Sequence, residues 1–325
     1  MHTRYFDLIH KNLPIHREEL LQQAARLLQR GCLVAIPTET TYGLAASIFN
    51  ETALERLYAT KQRGKEVPLP VQIANIEQLK FVTKETPCEF MRLAHCFLPG
   101  PLTIVLKKHD RVSKLITAQK RTVAVRFPSN KAAQRIVELV GCPIALSSAN
   151  RSGNPSSVRA RHVMEDFEGM IDGIVDDGDT TFGLESTLIS LENPSKPLIL
   201  RLGVISQRAI EKSLDREVTV HHRALMGQTA HLFSKQFPPV RLFSSWDKMR
   251  IYLLLSSQAK RLIMTQDAHI PDMDMCDLFR LTRNNLYVGL RIAMQHAYAE
   301  VLVLCTPNLK NHEMLYRRLK QIANS

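Results

Sequence analysis

The sequence predicts an α/β protein: a mixed twisted sheet flanked by helices, followed by a second, small parallel α/β domain. Three observations predict it. Short apolar runs of strand length recur along the chain, separated by stretches of helical period. Up to Ser206 they interleave without a strict β-α-β rhythm, which favours a mixed sheet over a wholly parallel one. From Val240 onward strand and helix alternate regularly, as they do in a parallel sheet.

The elements follow in order. A helical period from Glu18 to Gln29 is stopped by Gly31 and feeds the apolar run Cys32-Leu33-Val34-Ala35-Ile36, which Pro37 ends. Further strands are expected at Leu69–Ile73, Leu102–Leu106, Val123–Phe127, Ile144–Leu146, Gly173–Asp176, Ser186–Ser190 and Leu198–Leu200. Helices are expected at Thr52–Lys61, Ile76–Phe81, Glu85–Cys96, Lys131–Val140 and His162–Phe167. Residues 207–239 hold no sustained period and read as a linker after a domain of residues 1–206; a connection that long is usually functional or disordered. In residues 240–325, strands at Val240–Phe243, Arg261–Thr265 and Val301–Cys305 alternate with helices at Trp246–Ser256, Leu286–Tyr298 and Asn311–Ile322.

With 325 residues and 45% hydrophobic content the chain can bury substantial cores. No charged-then-apolar leader opens it and no apolar stretch approaches spanning length, so a soluble, cytoplasmic protein without membrane contact is expected. The six cysteines form no Cys-x-x-Cys pair, which argues against structural zinc and disulfides; no metal is assigned to protein side chains. Lys and Arg exceed Asp and Glu by 43 to 31, with more than a proportionate share of the surplus after Ser206. That favours anionic partners such as nucleotides or RNA, although on charge alone a basic, solvated surface is the commoner explanation.

Several polar clusters carry candidate chemistry. Pro37-Thr38-Glu39-Thr40-Thr41-Tyr42-Gly43-Leu44 follows directly on a buried strand, where α/β proteins expose binding side chains; the same residues also suit a turn and helix cap. Lys61-Gln62-Arg63 sets two cations two residues apart at a helix end, as an anion receptor or as complements to the helix dipole. Phe97-Leu98-Pro99-Gly100-Pro101-Leu102-Thr103 reads as a rigid turn. Arg126 ends a strand, as a surface charge or a carboxylate ligand. Ser147-Ser148-Ala149-Asn150 runs into a polar loop through Ser152-Gly153, and Glu185-Ser186-Thr187 and Leu200-Arg201-Leu202-Gly203 follow. No Walker-type loop, Gly-x-Gly-x-x-Gly, His-Glu-x-x-His or Gly-x-Ser-x-Gly occurs.

In this order, across about residues 8–206, these motifs resemble the YrdC/Sua5 family of threonylcarbamoyl-AMP synthases, and the linker and second domain resemble its longer Sua5-type members. The resemblance implies a YrdC-like fold and a nucleotidyltransferase. It would make L-threonylcarbamoyladenylate and diphosphate from L-threonine, bicarbonate or CO2, and ATP with Mg2+. The product would serve a downstream threonylcarbamoyl transferase acting on adenosine 37 of tRNA, with tRNA contact an open expectation. Carried over by position, Thr40, Gln72, Arg126 and Ser186 would bind threonine. Lys61, Arg63, Ser148 and Asn150 would be catalytic, and Arg63, Val67, Thr122, Ser148, Ser156, Arg201 and His231 would hold ATP.

Three positions depart from the family pattern. Val67 stands where Lys or Asn is usual, Gln72 stands where His is usual, and Gly227 to Ser234 keeps only part of the His-Tyr-Ala-Pro linker signature. The segment 207–239 is expected to act as a lid, with His231 on the nucleotide. Two rival readings remain: an RNA-binding protein of the same fold without catalysis, and a carbamoyl-transfer domain.

Overall fold

The computed structural model describes residues 2–10, 14–222, 237–256, 259–267 and 276–323. It divides into two compact units, residues 1–152 with 156–221, and residues 153–155 with 222–325. Among the described residues no helix is long and apolar enough to cross a membrane.

The first unit is built on an eleven-stranded mixed sheet among the described residues. In spatial order it runs β1 (Arg4–Asp7), β8 (Gly173–Asp176), β2 (Val34–Ile36), β3 (Gly43–Ser47), β7 (Ile144–Ser148), β4 (Val71–Gln72), β6 (Thr122–Arg126), β5 (Leu102–Lys107), β9 (Thr187–Ser190), β10 (Leu198–Arg201) and β11 (Thr219–Val220). Parallel pairs such as β1/β8 and β4/β6 alternate with antiparallel ones such as β3/β7 and β5/β6. Two helices, α1 (Pro14–Gln29) and α5 (Lys131–Val140), share one apolar layer: Leu21, Ala24, Ala25 and Leu28 meet Ile136 and Val137 over Val34, Ile36, Ile144 and Val175.

Three strands of this sheet lie where no strand is expected: β1, β3 and, within the expected linker, β11. β1 is short and mixed in polarity, and it holds only because each residue pairs with one of β8. β3 is Gly-Leu-Ala-Ala-Ser, fully buried, and its small residues answer crowding. A Cβ on Gly43 would fall 2.4 Å from Cγ of Leu146 on β7. The expected helix over Ile76–Phe81 is a 3-10 helix capped by Asn75.

The first unit also continues past Ser206, where the sequence places its boundary, to His221. Ser206 caps α7 (Gln207–Leu214), whose Ile210 and Leu214 are buried, and β11 then pairs in parallel with β10. Charged neighbours such as Glu211, Lys212, Asp215 and Arg216 leave few apolar residues to mark these elements in the sequence.

Gly203, closing the Leu200–Gly203 motif, packs against the backbone before β9. A Cβ there would lie 2.3 Å from the carbonyl carbon of Ser186 and 2.4 Å from the Glu185 and Ser186 oxygens. Backbone cannot rotate aside, so Gly203→Ala is expected to destabilise the unit by about 1–3 kcal/mol in urea unfolding. An unchanged midpoint would contradict this packing.

The second unit holds a four-stranded parallel sheet in the order β12 (Val240–Phe243), β15 (Glu300–Leu304), β13 (Arg261–Thr265), β14 (Cys276–Arg280). Helices Trp246–Leu255, Leu286–Gln295, Pro307–Asn311 and Glu313–Ala323 flank it. Met249 packs on Ile263, Leu302 and Leu304. β14 is unexpected because it is an edge strand with Asp277 and Leu278 exposed. The last expected helix is found at Glu313–Ala323, and an additional short helix, Pro307–Asn311, precedes it.

Candidate active site

The loop after β2 is organised by one hydroxyl. Thr38 Oγ1 accepts the N–H groups of Thr40 and Thr41, both at 3.2 Å, and donates to the Thr41 carbonyl at 2.6 Å. This fixes Glu39 and Thr40 with their side chains buried, at 4% and 1% exposure. Arg126, the last residue of β6 and 6% exposed, reaches into that loop. Its Nη2 donates to Glu39 Oε1 at 2.6 Å, its Nη1 to Thr40 Oγ1 at 2.8 Å, and its Nε to the Gly100 carbonyl at 3.3 Å.

Register brings further polar groups alongside. Gln72 on β4 and Thr103 on β5 are the partners of Arg126 in the sheet, so the three form a row on one face. Thr103 shares a 2.7 Å hydrogen bond with the Ser186 hydroxyl, onto which Arg201 of β10 donates from Nη2 at 3.0 Å. Arg201 Nε also donates to the Ser186 carbonyl at 3.1 Å. Gln72 is buried, and its Oε1 accepts no hydrogen bond among the described residues. A cation with spare donors, three hydroxyls and a vacant amide acceptor suit a small, polar, carboxylate-bearing ligand.

A second cluster is formed where α2 (Glu51–Lys61) ends. Gln62 takes the left-handed conformation, φ 53°, and its N–H and that of Arg63 bond back to Ala59 and Tyr58 at 3.0 Å. The reversal keeps Lys61 inside, 2% exposed, while Arg63 turns toward the Val67 and Pro68 carbonyls at 3.4 and 3.1 Å. Lys61 Nζ donates to the carbonyl oxygens of Ser148 and, at 2.8 Å, Asn150. The two clusters are joined through the backbone: Gly43 pairs with Ser148, Ala149 N–H donates to the Tyr42 carbonyl, and Tyr42 N–H to the Ser157 carbonyl, both at 2.8 Å.

Burial, with the nearby Arg63 charge, lowers the Lys61 pKa to about 7, against a smaller opposing pull from Asp166. The unfolded chain, with a lysine at its ordinary 10.5, then binds more protons than the folded one between pH 7 and 10.5. Stability from this group therefore rises with pH across that window, by at most about 1.4 kcal/mol per pH unit. Lys61→Met is expected to flatten this rise in urea unfolding between pH 7 and 10; an identical slope in both proteins would contradict it.

The remaining predicted residues fall differently. Ser148 and Asn150 sit at the end of β7 and just beyond it, and their carbonyls face Lys61. Ser156 donates to Glu185 Oε1 at 3.2 Å, beside Ser186. Arg201, predicted on the nucleotide, is held against Ser186 and so joins the first cluster. The Val67 side chain is 39% exposed; its carbonyl takes bonds from Tyr58 and Arg63. Thr122 starts β6 four residues before Arg126, on the order of 13 Å away along the strand, and no bond ties it to either cluster among the described residues. His231 lies outside the described residues, as does the segment 223–236 of the expected lid.

Glu39, which accepts from Arg126, and Thr103, which shares a hydrogen bond with Ser186, are absent from the predicted set. Both stand in motifs visible in the sequence, and only their positions beside Arg126 reveal a role.

Comparison with known proteins identifies the family. The Sua5/YciO/YrdC family model, described as telomere recombination, matches residues 26–203. The threonylcarbamoyl-AMP synthase of Pyrococcus abyssi is 46% identical over 199 residues, 61% of this chain and 58% of that protein. That of Bacillus subtilis is 43% identical over 192 residues, 59% of this chain and 55% of that protein. The matched stretch thus spans little more than half the length of these curated relatives. Two solved structures of P. abyssi Sua5, a doubly substituted variant and a complex with L-threonine, are each 32% identical and cover 99% of this chain; they match with TM-scores of 0.87 and 0.85, over 96% and 98% of their own chains. With its mixed sheet, its ordered motifs and a match over more than half its length, the chain belongs to the Sua5/YciO/YrdC family.

Proposed function

We propose that this protein is an L-threonylcarbamoyladenylate synthase, converting L-threonine, bicarbonate or CO2, and ATP into L-threonylcarbamoyl-AMP and diphosphate. The observation that carries the reading is Arg126, a buried guanidinium set among Thr40, Gln72, Thr103 and the Ser186–Arg201 pair, one backbone link from the buried Lys61. The guanidinium takes the threonine carboxylate, and Thr40, Gln72 and Ser186 take its hydroxyl and amine. The amine loses a proton as it adds CO2, and the resulting carbamate oxygen attacks the α-phosphorus of ATP while the bond to diphosphate breaks. Every reacting group is anionic, so alignment and cationic charge from Lys61 and Arg63, with Ser148, Asn150 and Ser156 at the nucleotide, supply most of the rate.

Among the described residues no group of three His, Cys, Asp or Glu could hold a metal. Mg2+ would enter with ATP as part of the nucleotide substrate, bridging its phosphate oxygens. Thr122 and His231 remain proposed nucleotide contacts. The adenylate is a labile anhydride that passes to a transferase acting on adenosine 37 of tRNA, in the cytoplasm, and the net charge of +12 suits a tRNA contact.

The test is incubation of the protein with ATP, labelled bicarbonate and threonine. Diphosphate release that requires threonine, with label in an adenylate, is expected. No release, or release indifferent to threonine, would overturn the reading.

A further inference from the structure

We infer that Glu39 is a positioning residue, which orients the Arg126 guanidinium so that its two unengaged N–H groups meet the carboxylate of the amino-acid substrate. The inference rests on the functional reading above. Both oxygens of Glu39 are committed. Oε1 accepts from Arg126 Nη2 at 2.6 Å, while Oε2 accepts the backbone N–H groups of Ser129 and Asn130, at 3.0 and 3.4 Å, where the chain enters α5. The carboxylate is thereby fixed to backbone and holds the cation in turn. The pair is shielded from solvent, with side chains 8% and 4% exposed.

A guanidinium carries five N–H donors. Nε spends its one on Gly100, and Nη1 and Nη2 each spend one, on Thr40 and Glu39. One donor on each terminal nitrogen is left, the number that a carboxylate accepts in a two-pronged contact. Three anchors on two segments, the Glu39–Thr40 loop and the turn at Gly100, leave the planar group no freedom to turn, and Glu39 is the only charged one.

Charge and orientation make opposite demands, and this decides between them. An anion next to a carboxylate site weakens ligand binding by repulsion, so removing it would by charge alone tighten binding. If Glu39 acts by orienting Arg126, removing it weakens binding instead, and only for ligands that own a carboxylate.

Calorimetry of L-threonine and of L-threoninamide, which lacks the carboxylate, separates the two in the intact protein, in Glu39→Gln and in Glu39→Ala. The unsubstituted protein is expected to prefer threonine by at least ~10-fold, and both variants to lose most of that preference while threoninamide affinity stays within ~2-fold. Affinity for a non-hydrolysable ATP analogue should not change. Glu39→Gln keeps the side-chain volume and carries the comparison if Glu39→Ala fails to fold. Threonine binding that tightens or is unaltered in Glu39→Gln overturns the inference, as does equal weakening of both ligands, which marks a merely structural role. Absence of threonine binding by the unsubstituted protein overturns the functional reading along with it.

Discussion

Replacing Arg126 with leucine is expected to abolish measurable threonine binding, leave nucleotide binding in place, and cost the fold about 3–5 kcal/mol. The energetic part follows from Glu39. Its carboxylate is 4% exposed, and without the guanidinium 2.6 Å away it becomes a buried charge compensated only by two backbone N–H groups. The functional part follows because no other buried cation stands on the Gln72–Arg126–Thr103 row among the described residues. A double variant, Arg126→Leu with Glu39→Leu, should regain much of the lost stability and none of the threonine affinity, since an apolar pair of similar volume replaces an ion pair at little cost. Urea unfolding and calorimetry measure the two effects independently. Threonine affinity retained in Arg126→Leu would remove the guanidinium from substrate recognition.

Lys61→Ala and Arg63→Ala are each expected to reduce threonine-dependent diphosphate release by at least ~100-fold, the scale of a lost charge-assisted contact in a catalytic site. The two losses have different origins. Lys61 Nζ holds the carbonyls of Ser148 and Asn150, so alanine leaves a cavity, removes a donor from both carbonyls and frees the segment that carries Ser148 and Asn150. Arg63 bonds only to the Val67 and Pro68 carbonyls among the described residues, so its loss should spare stability and remove charge from the nucleotide side. Lys61→Ala should thus lower both stability and rate, and Arg63→Ala mainly rate. Near-normal release from both folded variants would exclude this pair from the mechanism.

Much of the fold is legible in the sequence because its signals are local. The strand at Val34–Ile36 is an apolar run closed by Pro37, and α5 ends where Gly141 takes φ 81°. The hidden elements lack such signals. β3 is made of small residues that only the crowding of β7 explains, α7 shows few apolar residues among charges, and β14 is an exposed edge. The candidate site divides in the same way. Lys61, Arg126, Ser148 and Ser186 stand in compact polar clusters after apolar runs, so residue type and spacing single them out.

By itself the sequence determined which loops are polar, where most strands and helices start and stop, and which cations and hydroxyls are available for chemistry, because each of these depends on side chains within a few residues of one another. Only the tertiary structure decided their partners. Glu39 meets Arg126 across 87 positions, Arg201 turns to Ser186 across 15 rather than to the nucleotide cluster, and Lys61 spends its ammonium on carbonyls 87 and 89 positions away. The physical reason is sheet register. A buried donor must find an acceptor, and which acceptor lies within 3 Å is set by the pairing of β4, β6, β5 and β9, which no local pattern of residues encodes.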